Sequence, residues 1–213
     1  MFRVRSVNLG RAVLFRGAEE SAIAKALASG PVAVTALGLA GDEQADPIHH
    51  GGPDMAVHHY PHDHYAWWKG LLGDHPLLDR EGAFGENIGC AGLTEHQACI
   101  GDRYRLGTAT VEISQGRKPC WKLSHRFGDP RVTSEVVSSG RAGWYYRVLE
   151  PGVVAAGDTL ELLDRPHSEW TVERVFDLIV AGGHRRDPSA LSDLAALEAL
   201  SAEWRKRAAA LAA

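Results

Sequence analysis

Cysteine is scarce in this sequence of 213 residues, which contains only Cys90, Cys99 and Cys120 and no Cys-x-x-Cys pair. Because three is an odd number, a set of intramolecular disulfides that uses every cysteine is excluded. The chain is therefore not one of the small secreted domains that depend on such disulfides. We expect at least one reduced thiol and a reducing compartment.

Long apolar runs are also missing, since no stretch approaches the roughly 20 apolar residues that a membrane-spanning helix requires. Residues 1–17 alternate polar and apolar side chains and lack the continuous apolar region of a secretory signal. We therefore predict a cytoplasmic protein without a membrane partner.

The excess of one charge over the other is small, because 23 Lys and Arg residues against 27 Asp and Glu residues give a formal net charge of −4. This balance does not favour a nucleic acid polymer as the partner, since proteins that bind nucleic acids need clustered basic residues. Hydrophobic residues make up 45% of the chain and charged residues 23%, which is typical of a folded globular protein. Histidine is abundant, with 11 residues, and raises the question of a metal site.

Residues 1–166 contain short β-like runs separated by glycine and proline, and we predict that they form one mainly β domain. The predicted strands are Phe2 to Val7, Ala12 to Phe15, Pro31 to Leu39, Met55 to His59, Tyr104 to Leu106, Thr108 to Ser114 and Thr159 to Leu163. The first two are expected to pair with each other, and a hairpin is expected at Gly107. Residues 21–28 fit either a helix or a strand. One helix is predicted from Pro61, which suits the first helical position, to Leu72.

Residues 167–213 have a different pattern, which predicts a small appendage of three short helices. These helices run from the cap residue Thr171 to Val180, from Asp187-Pro188 to about Leu200, and from the cap residue Ser201 to the end of the chain. Because this region holds one histidine and no cysteine, we expect the chemistry to lie in the β domain.

Six histidines lie between positions 49 and 64 and invite comparison with a metal site. A zinc-binding module would be built from His49, His58, His59, His62 and His64. His58 and His62 are four residues apart, but the predicted helix begins at Pro61, so His58 is expected on the preceding strand. No established metal-binding motif matches this spacing. Turn, strand and surface positions are therefore the favoured interpretation of these histidines.

Glycine-containing segments elsewhere are compatible with a site for an anion. Gly51 and Gly52, which follow His50, permit close backbone approach, and their amides can bind a phosphate. Arg141 lies in a glycine turn that either surrounds an anion or simply leads into an aromatic strand. Glu86 and Asn87 either complete a tight turn or present a carboxylate and an amide to a pocket.

The strongest chemical signal is the segment Gln115-Gly116-Arg117-Lys118-Pro119-Cys120-Trp121-Lys122, which directly follows a predicted strand. Three cations lie close to Cys120, and nearby positive charge favours the thiolate, which is both a nucleophile and a soft metal ligand. The alternative is a strand end with solvated charges and a buried cysteine. Cys90 and Cys99 have no such cationic surroundings in the sequence and are expected to be small packing residues.

Several separated segments resemble, in the same order, the MOSC domain and in particular its YiiM-like subfamily. They are GLAGDEQAD, HHGGPDMAVHHYP, FGENI, GLTE, IGDRYRLGTATVEISQGRKPCWKL and SGRAGWYYRVLEPGVVAAGD. The resemblance covers roughly residues 20 to 165, and the appendage is similar to the three-helix domain that follows there. It implies a mainly β fold with a MOSC-type β-barrel core and a few helices. Gly116 stands where the family pattern has a proline.

The resemblance also implies a function. MOSC domains bind the molybdenum cofactor, a molybdopterin that carries one metal, and YiiM-like proteins reduce N-hydroxylated compounds such as 6-hydroxylaminopurine. By this resemblance Cys120 ligates molybdenum, and the residues expected to bind the cofactor are His50, Gly51, Gly52, Asn87, Arg117, Lys122 and Arg141. Glu86 or a pocket histidine would supply protons. A separate flavin-dependent reductase would donate electrons, and a homodimer is expected by analogy.

Other functions stay open at this stage. Cys120 as a persulfide would make the protein a sulfur carrier, because the same reactive thiol serves both roles. A carrier or sensor of the molybdenum cofactor would bind the pterin without reducing any substrate. The zinc-binding module of histidines is the third alternative. Metal and pterin content distinguishes among them.

Overall fold

In a computed structural model, which describes residues 1–46 and 51–213, short strands alternate with short helices. The strands of this described part are β1 (Phe2–Leu9), β2 (Val13–Arg16), β3 (Glu19–Ser21), β4 (Ala26–Leu27), β5 (Val32–Thr35), β6 (Gly38–Leu39), β7 (Val57–Pro61), β8 (Ile88–Cys90), β9 (Arg103–Leu106), β10 (Ala109–Gly116), β11 (Trp144–Glu150), β12 (Gly152–Val154) and β13 (Thr159–Asp164). Its α-helices are α1 (His64–Leu72), α2 (Trp121–Phe127), α3 (Arg131–Ser139), α4 (Val172–Phe176), α5 (Ala190–Ala196) and α6 (Ala202–Ala212). Within the same two ranges, the helices are too short or too polar to cross a membrane.

Seven of the described strands close into a β-barrel, in the order β1, β13, β9, β10, β11, β7, β8 and back to β1. Neighbouring strands of the ring are antiparallel except β7 and β8, which run parallel. Because closure joins the two edges of a sheet, it hydrogen-bonds backbone groups that would otherwise face solvent. The prediction of a mainly β fold with a barrel core is confirmed.

Alternation along the barrel strands separates the core from solvent. On β9, Tyr104 and Leu106 are buried whereas Arg103 and Arg105 are exposed. The neighbouring strand β10 is buried on both faces towards its end, where the C-terminal helices pack against it. This doubly covered strand end leads directly into the segment that contains Cys120.

The strand predictions are partly confirmed. The hairpin at Gly107 is present, since β9 and β10 pair on either side of it. The predicted pairing of the first two strands is wrong, because β1 pairs with β4, β8 and β13 while β2 pairs with β3. Burial explains the difference: Val4 and Val7 of β1 enter the core, whereas Val13 and Leu14 of β2 are exposed. Residues 21–28 contribute to the strands β3 and β4.

The sequence patterns do not predict α2 and α3. Each of these helices is shorter than ten residues and begins without a side-chain cap. The sequence feature that marks these helices is at their C-terminal ends, where Gly128 and Gly140 adopt the left-handed conformation that is typical after a helix. The predicted helix from Pro61 begins later, at His64, because Pro61 is the last residue of β7 and pairs with Cys90.

The helices predicted after residue 167 are present. Thr171 caps α4 by accepting a hydrogen bond from the Arg174 backbone N–H, and Ser201 caps α6 in the same way through Trp204. A π-helical turn, Asp177–Ala181, extends α4 and ends at Gly182, as predicted. The middle helix is shorter than expected, because α5 covers only Ala190–Ala196.

Gly143 shows how tightly the chain is packed beside β7. Its φ is +72°, and a Cβ atom there would lie 2.3 Å from the backbone oxygen of His59. Gly140 has a similar φ of +69°, but a Cβ atom there would meet nothing within 4 Å. The two glycines therefore separate the cost of the backbone conformation from the cost of the close approach.

We predict that Gly140→Ala lowers the free energy of unfolding by about 1 kcal/mol, the usual cost of a left-handed alanine. Gly143→Ala should lower it by about 3 kcal/mol, because overpacking adds about 1–3 kcal/mol. Urea denaturation of both variants measures the difference. Equal losses in the two variants would show that the contact between Gly143 and His59 is not tight.

Candidate functional site

A cavity opens at the end of the barrel where β10 leads into α2. Chain segments that are distant in the sequence meet around it. The lining residues are Ser21, Ala22, Ile23, Lys25, Asp42, Glu43, Gln44, Ala45, Asp46, Met55, His58, Phe84, Gly85, Asn87, Arg117, Lys118, Cys120, Lys122 and Tyr145. Six residues singled out from the sequence therefore line one cavity: His58, Asn87, Arg117, Lys118, Cys120 and Lys122.

Cys120 is the thiol that reaches this cavity. It is half-buried and occupies the N-cap position of α2 with an extended backbone conformation. The other two thiols are buried, and burial raises the pKa of Cys90 to about 12 and also raises the pKa of Cys99. Both therefore stay protonated at neutral pH, in agreement with their predicted packing role. Only Cys120, among the three, combines access to the cavity with neighbouring cations.

Arg117 brings a buried positive charge to the cavity. The residue is only 6% exposed, and its Nη1 atom has no hydrogen-bond partner in the described part of the chain. Its side chain does contact Tyr145 through a hydrogen bond. No carboxylate from residues 1–46 or 51–213 forms an ion pair with it. A buried cation without a counter-ion is costly, so the arrangement favours an anionic ligand.

His58 forms the inner wall next to Arg117. It is buried, and its ring lies against Tyr145 with 5.0 Å between ring centroids. Burial, reinforced by the positive charge of Arg117, holds the pKa of His58 well below its usual range. The imidazole is therefore neutral at pH 7. It hydrogen-bonds the backbone of Gly85, while its Nε2 has no partner among the described residues.

A buried ion pair also lines the cavity. Lys25 Nζ lies 2.5 Å from Asp42 Oδ2, and both side chains are less than a tenth exposed. Asp42 also accepts hydrogen bonds from the Gly10 backbone N–H and from Asn87 Nδ2, at 2.7 and 2.8 Å. Asn87 in turn accepts a hydrogen bond from the His58 backbone N–H at 3.0 Å. Asn87 thus joins the ion pair to the histidine wall.

The remaining cations lie at the rim. Lys118 is exposed, and Lys122 Nζ donates to the backbone oxygen of Glu20 at 2.7 Å. Three carboxylates also line the cavity: Asp42 is paired with Lys25, Glu43 is paired with Arg11, and Asp46 is the third. Positive charge is therefore concentrated on the side of the cavity formed by residues 117–122. This distribution suits a phosphate or a similar anion.

Other predicted site residues lie elsewhere. Glu86 is fully buried, does not line the cavity, and accepts hydrogen bonds from Tyr65 Oη and from the backbone N–H groups of Gly82 and Phe84. The Arg141 guanidinium is 4.5 Å from the ring of Trp67 and is likewise not a lining group. Their polar side chains serve the interior and the surface, respectively.

Gly51 and Gly52 precede a 3-10 turn, Pro53–Met55, whose last residue lines the cavity. Gly52 has a φ of +93°, which favours glycine. His50, the remaining residue predicted to bind a cofactor, lies outside the described residues, as does His49. Gly51 and Gly52 are thus close in the sequence to Met55, which lines the cavity, but they do not line it themselves.

The zinc-binding module does not form in the described part of the chain, where no three His, Cys, Asp or Glu side chains are grouped to hold a metal. His58 and His59 are neighbours on β7 and therefore point to opposite sides of the strand, as expected. His59 stacks on Trp144, whereas His64 is 2.7 Å from Glu95. Each of these histidines has a separate structural environment.

Sequence reasoning missed Lys25, Asp42 and Tyr145 as site residues. Lys25 comes from a loop without a recognisable motif, whereas Asp42 lies in the family-like segment GLAGDEQAD, to which no role in the site was assigned. The two side chains meet because β4 and the segment after β6 approach the same end of the barrel. Tyr145 sits in an aromatic run where packing is the ordinary expectation. Only a pattern of distant contacts would have found these three.

Comparison with known proteins gives a consistent result. The sequence model of the MOSC domain matches residues 46–161, and that of the YiiM-like 3-alpha helix domain matches residues 170–211. Protein YiiM of Escherichia coli (strain K12) is 41% identical over 167 residues, which cover 78% of this chain and 74% of that protein. The crystal structure of YiiM from Geobacillus stearothermophilus superposes with a TM-score of 0.83 at 32% identity, with complete coverage of both chains.

A protein named Reductase from Gibberella moniliformis (strain M3125 / FGSC 7600) is 41% identical over 182 residues. The match covers 85% of this chain but 32% of that protein, so the chain spans about a third of the length of this relative. The shared part is therefore one region of a larger protein.

The ion pair of Lys25 and Asp42 gives a prediction about stability. Asp42→Asn keeps an oxygen for the Gly10 N–H but leaves the Lys25 ammonium buried without its counter-ion, which should lower the free energy of unfolding by about 3 kcal/mol at pH 7. Burial already lowers the pKa of Lys25 in the folded protein, while the unfolded chain keeps the ordinary value of 10.5. The folded variant thus binds fewer protons than the unfolded one, and its deficit should shrink as pH rises towards 10.5.

Urea denaturation of wild type and Asp42→Asn at pH 7 and pH 9.5 measures both effects. The double variant Lys25→Met/Asp42→Asn is the control, and it should recover most of the loss because no buried charge remains. A deficit that is equal at the two pH values would contradict a buried, positively charged Lys25.

Proposed function

Because this chain belongs to the MOSC domain family and carries the YiiM-like three-helix domain, we propose that its cavity binds the molybdenum cofactor and that the protein reduces N-hydroxylated compounds to amines. MOSC domains are associated with this cofactor in general. A relative named Reductase is consistent with an oxidoreductase. The substrate class and the reaction are proposals for this chain.

One observation supports the proposal above the others: Arg117, whose buried Nη1 has no hydrogen-bond partner among residues 1–46 and 51–213, lines the same cavity as the half-buried thiol of Cys120. The cofactor combines a phosphate with a metal held by a dithiolene. A guanidinium matches the phosphate, and a thiolate is a soft ligand suited to the metal. The residues present therefore fit the group.

We assign separate roles to the cavity walls. Cys120 would ligate the metal, and Arg117, Lys118 and Lys122 would neutralise the phosphate. Asn87 already uses its amide for Asp42, Asn8 and His58, so its role would be to fix these groups rather than to bind the cofactor directly. The cofactor supplies the redox chemistry, while the protein orients it and sets its electrostatic surroundings.

Reduction of an N–OH group to an amine consumes two electrons and two protons and releases one water. Glu86 does not line the cavity, and His58 is neutral at pH 7, so neither is a ready source of a proton there. Lys25 Nζ holds a proton at the cavity wall, and burial lowers the pKa of this ammonium, against the opposing effect of Asp42, which makes it a better proton donor than an exposed lysine. We therefore assign proton delivery to Lys25, with Asp42 holding its ammonium in place.

The partners follow from the same family assignment and are likewise proposals. Electrons would come from a separate flavin-dependent reductase, and the substrate would be a small N-hydroxylated molecule. A cytoplasmic location agrees with three cysteines that are all present as thiols. A homodimer is an expectation from the family alone.

Expression in a host that makes the molybdenum cofactor provides the test. The purified protein should contain molybdenum and pterin in equal amounts and should reduce 6-hydroxylaminopurine with a chemical electron donor. Cys120→Ser should lose the metal and at least about a hundredfold in rate, because one reacting ligand is gone. The matched control Cys99→Ser, at a buried thiol outside the cavity, should retain the bound metal and the wild-type reduction rate.

Full reduction by Cys120→Ser with bound cofactor would contradict the proposed role of the cysteine. Protein that contains no molybdenum but releases sulfur from Cys120 on treatment with cyanide would favour the sulfur carrier instead. Stoichiometric cofactor without turnover of any N-hydroxylated compound would favour the non-catalytic carrier.

A further inference from the structure

The C-terminal helices contact the strand that leads to the cavity, and from these contacts we infer that the helical region positions the Arg117–Cys120 loop, with Trp204 as the positioning residue. The inference deepens the proposed function, because the loop contains the proposed anion-binding and metal-binding residues. It gives the helices a role in the site rather than in folding alone.

The first line of contact runs from α6 to the end of β10. A Cβ atom on Gly116 would lie 3.0 Å from Cη2 of Trp204 and 3.5 Å from Cδ2 of Phe176. Trp204 is only 1% exposed, so its indole fills the space next to Gly116. One residue further along the strand lies Arg117.

The cap of α6 fixes where that indole lies. The backbone N–H of Ser201 donates to the backbone oxygen of Ser114 at 2.9 Å, which ties the start of α6 to β10. The Ser201 hydroxyl accepts a hydrogen bond from the Trp204 backbone N–H. Trp204 is therefore held against the strand by a cap that is itself bonded to the strand.

A second line of contact runs from α4 to the same loop by another route. The Glu173 backbone N–H donates to the backbone oxygen of Glu95 at 3.0 Å. The Glu95 carboxylate is buried, lies 2.7 Å from His64, and accepts a hydrogen bond from the Gly143 backbone N–H at 2.7 Å. The backbone oxygen of Gly143 then accepts the N–H of Arg117 at 3.0 Å.

The first line ends at Gly116, the residue before Arg117, and the second ends at the backbone N–H of Arg117, so the start of the loop is held from two sides. Gly116 would otherwise be a weak point, because glycine has more backbone freedom than any other residue. The indole of Trp204 compensates by occupying the volume that a side chain at position 116 would fill. A binding group held in one orientation before the ligand arrives binds more tightly, since less ordering is required.

The test uses Trp204→Ala, with Leu194→Ala as the matched control. Leu194 is fully buried in the same helical region but lies in α5 and is not among the atoms nearest Gly116. Two properties are measured in protein without cofactor: the rate at which iodoacetamide alkylates Cys120, followed by peptide mass spectrometry, and hydrogen exchange of the Arg117 amide. The measurement does not depend on molybdenum, so it stands even if the proposed reaction is wrong.

We expect both variants to unfold at lower temperature than wild type. Trp204→Ala alone should change the alkylation rate of Cys120 and speed exchange of the Arg117 amide, each by about tenfold, since small displacements of a preorganised site have large effects. Trp204→Phe should restore most of the wild-type behaviour. If Trp204→Ala does not fold, Gly116→Ala displaces the indole from the other side and should give the same two changes.

The inference is overturned if Trp204→Ala and Leu194→Ala alter both properties equally, which is the result of general loosening. It is also overturned if a folded Trp204→Ala or Gly116→Ala leaves both properties unchanged.

Discussion

The site is arranged around the buried guanidinium of Arg117, which forms no ion pair with a carboxylate of the described residues. Arg117 is almost inaccessible, its Nη1 has no hydrogen-bond partner in the described part of the chain, and the nearby ring of His58 is kept neutral by burial and by that same charge. Proteins seldom leave a buried charge unpaired, because its desolvation costs several kcal/mol. A bound anion would offset this cost by pairing with the guanidinium, which is why the cavity favours an anionic ligand.

The barrel and the helices together hold this charge in place. Strand β10 enters the loop fully buried, and the N–H of Arg117 is fixed by Gly143 on the neighbouring chain segment before β11. In the lining of the same cavity, the ion pair of Lys25 and Asp42 is connected through Asn87 to the backbone of His58. The positive charge of Lys25 is therefore neutralised within the protein by Asp42, whereas neutralising the positive charge of Arg117 requires an anionic ligand.

Sequence reasoning predicted what is local and missed what is assembled from a distance. The mainly β character of residues 1–166, the hairpin at Gly107 and the capped helices follow from turn chemistry and periodicity, which act over a few residues. The barrel itself was expected only from the family resemblance. Cys120 and Arg117 are three residues apart in the chain, so the sequence alone predicted that both belong to one site. Lys25 and Tyr145 reach the cavity only through tertiary contacts. Glu86 carries a reactive group but uses it internally, a distinction that only burial and hydrogen bonding reveal.

Binding of inorganic phosphate to the cofactor-free protein tests the central claim most directly, through the free energy of unfolding of wild type and Arg117→Met. Phosphate at a hundred times its Kd should stabilise the wild type by about 2.7 kcal/mol and leave the variant unaffected. Without phosphate, Arg117→Met should be at least as stable as wild type, because it removes an uncompensated buried charge. Equal stabilisation of both proteins by phosphate, or a marked loss of stability in Arg117→Met without phosphate, would contradict the account.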